Sequence, residues 1–133
     1  MSKVSHFIKL AHNYVRDAHH HKHERSSSWP KLEREFLAKN PSCAACGAME
    51  HLNVHHKVPF HIAPELELEE SNLITLCMSE DRHCHLLIGH GDWFKAYVPD
   101  VDIFSKEALD AHWKNDKQKV AAVIQKAKDS RKV

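Results

Sequence analysis

The fold is decided by residues 43–90, which read CAACGAMEHLNVHHKVPFHIAPELELEESNLITLCMSEDRHCHLLIGH. All four cysteines of the chain lie in this stretch, as two pairs on either side of a histidine-rich segment. Four thiolates can complete the tetrahedral coordination of a structural zinc ion. The sequence therefore predicts a zinc site formed by Cys43, Cys46, Cys77 and Cys84.

The gap between Cys77 and Cys84 is longer than the two-residue gap that is usual in zinc knuckles. His83 is therefore an alternative to Cys84 as the fourth ligand, and free buried thiols or a disulfide are alternatives to zinc. The all-cysteine site is the simpler interpretation, since it uses every cysteine. Such a site has no open position for water or substrate, so this zinc would be structural and not catalytic.

The same stretch predicts two strands and a short helix. Alternating apolar residues predict a strand over 52–58, and the apolar run at 73–76 predicts a second strand. A short helix is expected to begin near Ser79 and to end at Gly89 or Gly91. The order of elements in this part of the chain is therefore β–β–α.

Helices are predicted on both sides of this core. Apolar residues recur at helical spacing over 3–20, a proline-initiated helix is expected from Trp29 to about Asn40, and a last helix from Ser105 to about Ala127. The histidine run at 19–23 is expected to be a solvated helix end or linker. The buried positions of the second and third helices are predicted to include Leu32, Phe36, Leu37, Leu109, Trp113, Val120 and Ile124.

These elements predict one α+β domain over residues 1–133. Its parts are N-terminal helices over 1–40, a zinc-stapled core over 41–92, and an aromatic segment with a basic helix over 93–133. A chain of 133 residues is long enough for one compact domain.

Composition limits the class of protein. No apolar run approaches the ~20 residues of a membrane helix, and the first ten residues lack the apolar core of a signal peptide. We therefore expect a cytoplasmic protein with no membrane partner, and a monomer. The net charge of +1 is low for a nucleic-acid binder, although lysines cluster after residue 113. Fourteen histidines are far more than usual, and histidine is both a common metal ligand and a base near neutral pH.

The motifs of this stretch resemble those of a known protein family. The C-x-x-C knuckle, the pair His55-His56, the segment Asn72-Leu-Ile-Thr-Leu-Cys77, the dipeptide Cys84-His85 and the later His90 occur in the order seen in HNH endonucleases. The chain resembles the cysteine-containing branch of that family, which is common in phages and prophages. The RSSSWP segment at 25–30 also resembles small phage members. The resemblance implies a ββα-metal (His-Me finger) core with a structural zinc.

The resemblance also implies a role for each motif residue. His55, His85 and His90 would bind one catalytic divalent ion, which could be Mg²⁺, Mn²⁺, Ni²⁺, Co²⁺ or Zn²⁺. His56 would be the general base, and Asn72 would hold the loop and help to orient that base. Metal ligand and base must be different groups, because an imidazole nitrogen bound to a metal cannot accept a proton. Neutral imidazole is basic enough to deprotonate water near pH 7.

These roles place two requirements on the backbone. Adjacent residues of an ideal strand point to opposite faces, so the first strand must be irregular or must end near His55 and His56. His85 and His90 are about 140° apart on an ideal α-helix, so the helix is expected to end before His90. His83 competes with both as a ligand, whereas His51, His61 and His112 are expected to have no function.

The implied function is metal-dependent hydrolysis of DNA phosphodiester bonds, by nicking or by double-strand cutting, with low sequence specificity. DNA would be the main partner, and Lys57, Arg25, Arg34 and Arg82 are candidates for phosphate contacts. A phage or prophage origin in a bacterial host would fit a role with packaging proteins such as terminase. The alternatives are a catalytically inactive, zinc-stapled nucleic-acid-binding module and a scaffold for a packaging partner.

Overall fold

The central element is a two-stranded antiparallel sheet. In the computed structural model, which describes residues 24–133, strand β1 (Leu52–His56) pairs with strand β2 (Leu73–Cys77). Leu52 lies opposite Cys77, and His56 lies opposite Leu73. Two strands alone are at best marginally stable in water, so the sheet depends on what covers its two faces. The predicted helix over 3–20 and the histidine run at 19–23 lie outside the described residues.

One face of the sheet is covered by helix α1 (Trp29–Lys39). Pro30 lies in the first turn of α1, where its missing N–H breaks no hydrogen bond. Phe36 of this helix is buried against Val54 of β1 and Leu73 of β2, with Trp29, Leu32 and Leu37 packed around them. The predicted helix and its inward residues are confirmed.

The opposite face packs against the second half of the chain. Ile74 and Leu76 of β2 belong to a core that also contains Ile88, Val98, Val101, Ala108, Val123 and Ala127. The last four come from helices α2 (Val101–Trp113) and α3 (Lys117–Ser130). The α+β class predicted from the sequence is confirmed. None of the helices within residues 24–133 combines the length and apolar character that crossing a membrane requires.

β1 is shorter than the predicted strand over 52–58, because it ends at His56. The backbone N–H of Lys57 donates to the carbonyl of Asn72, at 2.8 Å. The side-chain oxygen of Asn72 accepts the next backbone N–H, that of Val58, at 3.0 Å. From Val58 onward, hydrogen bonds to the side chain of Asn72 therefore replace those of the sheet ladder.

The prediction of a helix from about Ser79 was wrong. Residues 80–82 form turns, and the regular part is one π-helical turn at His85–Gly89. His83 has a φ of 38°, a left-handed conformation that interrupts a right-handed helix just before this turn.

The prediction of one helix from Ser105 to Ala127 was also wrong. Asn115 has a φ of 52°, which ends α2, and the carboxylate of Asp116 then accepts the backbone N–H of Lys119 to cap α3. Trp113, which was predicted to be buried, is 79% exposed at the end of α2. Polar residues with turn and capping preferences thus override the continuing apolar periodicity.

The packing of α1 on the sheet is testable through Phe36. Phe36→Ala should destabilise the protein by about 3–5 kcal/mol, because it leaves a cavity between α1 and the sheet. Urea unfolding at a fixed zinc concentration measures this change. Ile103→Ala is the control, since Ile103 is 54% exposed. Equal destabilisation by both variants would contradict the proposed packing.

Candidate metal centres

Four buried cysteines meet at one end of the sheet. The sulfur atoms of Cys43, Cys46, Cys77 and Cys84 all lie within 4.8 Å of one another. The Sγ atoms of Cys46 and Cys77 are 3.7 Å apart. A tetrahedral zinc site with Zn–S bonds of about 2.3 Å has S···S edges of about 3.8 Å. The cluster is therefore compatible with a structural metal ion such as zinc.

Local backbone structure places each cysteine. Residues 43–47 form a turn in which the N–H of Gly47 donates to the carbonyl of Cys43, at 2.8 Å. Gly47 has a φ of 78°, which favours glycine. The N–H of Ala44 donates to the carbonyl of Thr75, which fixes this turn against β2. Cys77 is the last residue of β2, and Cys84 immediately precedes the π-helical turn.

The thiols are free and interact with one another instead of forming disulfides. Hydrogen bonding from Cys43 lowers the pKa of Cys46 to about 6, and hydrogen bonds from Cys43 and Cys46 lower the pKa of Cys77, whereas hydrogen bonds within the cluster raise the pKa of Cys43 and of Cys84. Thiolate is the form of cysteine that binds metals. His83, the alternative fourth ligand, is outside the cluster, and its ring lies 6.0 Å from that of Phe94.

Three histidines form a second, separate cluster. His55 comes from β1, His85 begins the π-helical turn, and His90 follows that turn. One ring nitrogen of each lies within 4.8 Å of one from each of the others. The structure therefore brings together the three residues that the sequence suggested as ligands of a second ion.

The π-helical turn explains how His85 and His90 meet. In a π-helix the hydrogen bonds run between residues five apart, so side chains at this spacing lie near the same face. The Nε2 atoms of His85 and His90 are 3.2 Å apart. The helical turn ends at Gly89, before His90, as expected from the sequence, and its wider π-helical geometry brings His90 to the same side as His85.

The hydrogen bonding of the three rings fits a metal. Nδ1 of His90 donates to the carbonyl of Ala96, at 2.7 Å, which leaves Nε2 as the nitrogen with the lone pair. Nε2 of His55 is buried and has no hydrogen-bond partner among the described residues, and Nε2 of His85 faces Nε2 of His90. Burial lowers the pKa of all three imidazoles, to about 4 for His85. They are therefore neutral at pH 7, which is the form that binds metal.

His56 lies beside this cluster but points elsewhere. Its ring packs on Trp29, with the ring centroids 4.5 Å apart, and its Nε2 lies 3.0 Å from the carbonyl oxygen of Glu67. A carbonyl can only accept, so Nε2 carries the proton and Nδ1 has the free lone pair. Burial lowers the pKa of His56, which keeps it neutral at pH 7. His55 and His56 are adjacent residues of a strand that ends at His56, so their side chains point to opposite faces of the sheet.

Asn72 ties the two ends of the loop between the strands. Its side-chain amide exchanges hydrogen bonds with the backbone of Val58, at 3.0 and 3.1 Å, and also donates to the carbonyl of Leu66, at 3.3 Å. The loop that contains Glu67 is thereby held next to His56. Asn72 is buried, and its contacts match the loop-holding role expected from the sequence.

The four predicted phosphate contacts differ in their surroundings. Arg34 is exposed on α1, whereas Lys57 pairs with Asp102 at 2.9 Å. Arg82 donates to the carbonyl of Cys46, at 3.3 Å, and so lies near the thiol cluster. Arg25 pairs with the carboxylate of Glu67. Within the described residues, Arg25 and Lys57 are therefore in ion pairs, whereas Arg34 and Arg82 are not.

Two residues next to the histidines were missed in the sequence. Glu67 was given no role in the sequence analysis, yet it is fully buried. Phe94 was assigned only to an aromatic segment, yet its ring lies 5.1 Å from His90 and 5.9 Å from His85. No local pattern marks either residue, because their contacts connect distant parts of the chain.

Comparison with known proteins gives no relative. No protein-family model matches the chain, and neither a curated protein nor a solved structure does. The functional interpretation therefore depends on the chain's own residues and geometry.

Substitutions at Cys84 and at the neighbouring His83 test which of the two residues is the fourth zinc ligand. Cys84→Ser should lose bound zinc and the cooperative unfolding transition, because metal binding to such a site contributes to folding. His83→Ala is the matched control and should retain about one zinc per chain. Zinc analysis and thermal unfolding monitored by circular dichroism measure both effects. Zinc loss in His83→Ala and not in Cys84→Ser would reverse the ligand assignment.

The histidine cluster can be tested at Gly89. A Cβ at this position would lie 3.2 Å from Cε1 and 3.3 Å from Nδ1 of His55. Gly89→Ala should therefore displace the His55 ring and weaken Ni²⁺ binding about tenfold, as for other changes that disturb ligand orientation. Calorimetric titration measures the affinity, with Ala121→Ser on the exposed face of α3 as the control. Unchanged affinity in Gly89→Ala would contradict the role of His55.

Proposed function

We propose that this protein is a metal-dependent endonuclease of the HNH type, with a ββα-metal core, that hydrolyses phosphodiester bonds of DNA. The observation that carries the proposal is the pairing of a three-imidazole cluster with an adjacent neutral histidine that is hydrogen-bonded through one nitrogen only. The thiol cluster, at the other end of the sheet, would bind a structural zinc.

The imidazole cluster supports the metal-dependent part of the proposal. His55, His85 and His90 would hold a divalent ion and leave coordination positions open, since three protein ligands do not complete its shell. Such an ion would neutralise charge on the phosphate and stabilise the charge that develops on the leaving O3′ atom. Borderline metals such as Ni²⁺, Co²⁺ and Zn²⁺ suit imidazole, and Mg²⁺ and Mn²⁺ suit the phosphate oxygens.

His56 supports the hydrolytic part. Its Nε2–H is engaged by the Glu67 carbonyl, so the Nδ1 lone pair would accept a proton from the attacking water. The water oxygen forms a bond to phosphorus, and the bond from phosphorus to O3′ breaks. The leaving O3′ atom takes a proton from solvent. The products are a 5′-phosphate and a 3′-hydroxyl.

The substrate is expected to be bound mainly through its phosphates. The net charge of +1 is low for a protein that functions only by binding nucleic acid, which favours an enzyme over an inactive binding module. Binding mainly through phosphates would give low sequence specificity, because phosphate contacts carry no sequence information.

Substitution of the proposed base tests this function. His56→Ala should reduce plasmid nicking by at least about 100-fold, the usual contribution of a general base. His61→Ala is the matched control, because His61 is an exposed histidine of the same loop region. Both variants should keep their zinc and their unfolding temperature.

Either of two results would contradict the proposal. One is nicking by His56→Ala at the wild-type rate. The other is a wild-type protein that retards DNA on a gel but does not cut it with any of the five metals, which would indicate the inactive binding module.

A further inference from the structure

The most unusual charged group near the proposed base is the carboxylate of Glu67. Glu67 is 0% exposed, and an unpaired carboxylate in such a place is strongly unfavourable. One carboxylate oxygen pairs with Nε of Arg25, and the other accepts the backbone N–H of Ser26 at 2.7 Å. Both partners come from one short segment that lies about forty residues earlier in the chain.

Arg25 is held by more than its charge. Its guanidinium lies 5.2 Å from the ring centroid of Trp29 and 4.9 Å from that of Phe60. Cation–π contacts at such distances favour one orientation of the planar group. Arg25 therefore links the start of α1 to the loop that contains Glu67.

Two of the residues that contact Arg25, namely Trp29 and Glu67, also contact His56. Trp29 packs on the imidazole ring of His56, and the backbone carbonyl of Glu67 accepts the hydrogen bond from its Nε2. The ion pair thus holds together the two groups that set the orientation and the tautomer of His56. Although 45% of the Arg25 side chain is exposed, the contacts of its Nε–H and of its guanidinium plane are all within the protein.

We propose that Arg25 and Glu67 form a latch that positions His56, so that Arg25 is a positioning residue and not a phosphate contact. The inference rests on the proposed function, since His56 is the proposed base. When the latch is intact, Nδ1 of His56 has the lone pair. When it is broken, the loop and the imidazole lose their common orientation, and either ring nitrogen can carry the proton.

The first part of the test does not depend on activity. Long-range ¹H–¹⁵N NMR spectra distinguish imidazole protonated at Nε2 from imidazole protonated at Nδ1. Wild-type His56 should be protonated at Nε2 alone, whereas Arg25→Ala should give a mixture of both tautomers. Arg34→Ala is the matched control, because Arg34 is an exposed arginine of α1, and it should retain the wild-type spectrum.

The second part of the test measures plasmid nicking. Arg25→Ala should reduce the rate at saturating DNA by about 10- to 100-fold, the usual effect of losing an orienting group. The DNA concentration that gives half the maximal rate should not change. Arg25→Lys keeps the charge but not the planar group, and should recover part of the rate.

A double variant separates positioning from stability. Arg25→Ala combined with Glu67→Gln leaves no unpaired buried charge, so it should fold more stably than Arg25→Ala alone. It should nevertheless show the same tautomer mixture and the same low rate. A double variant with the wild-type tautomer and rate would overturn the latch.

The remaining outcomes separate the latch from the proposed function. A mixed tautomer in Arg25→Ala, in a protein that never cuts DNA, would support the latch and contradict the nuclease. A wild-type tautomer with a raised half-saturating DNA concentration would instead make Arg25 a phosphate contact, and would overturn the latch while supporting the nuclease.

Discussion

The antiparallel register of β1 and β2 determines where every chemical group of the candidate centres lies. Leu52 opposite Cys77 defines the end with the thiol cluster, and His56 opposite Leu73 defines the end with the proposed base. These ends are about 13 Å apart, from four steps of about 3.3 Å. A slip of one residue would exchange the faces of His55 and His56, which would take His55 away from His85 and His90.

The two centres are also connected through the chain. Cys84 is a member of the thiol cluster, and the next residue, His85, begins the π-helical turn that carries the second set of ligands. An ion bound by the thiols would therefore fix the start of this turn. This arrangement explains how a sheet of only two strands can orient three imidazoles, of which His55 is buried and the other two are half-buried.

Much of the candidate site could be predicted from the sequence, because residue type and spacing indicate it directly. Cysteines at 43, 46, 77 and 84 and histidines at 55, 85 and 90 are both found in compact clusters. The apolar periodicity over residues 29–39 was likewise sufficient to predict helix α1. In each case the signal is local, or consists of residues with few other common uses.

The rest depends on contacts that no local pattern records. The π-helical turn arises where His83 adopts a left-handed backbone, and the break between α2 and α3 arises at Asn115. Both are conformations that a few residues adopt against the surrounding periodicity. The pairing of Arg25 with Glu67 could not be predicted, because the two residues are 42 positions apart and the sequence gives no sign that Glu67 is buried.

In the proposed function, the thiol cluster holds its metal for structure while the histidine cluster exchanges metal for catalysis. Nicking and total zinc, followed together, separate these roles in wild-type protein treated with chelator and then supplied with Mg²⁺, Mn²⁺ or Ni²⁺. Chelation should abolish nicking, about one zinc per chain should be retained, and at least one added metal should restore nicking. Nicking that persists in the chelator, or that is lost only when the retained zinc is lost, would contradict this division of roles.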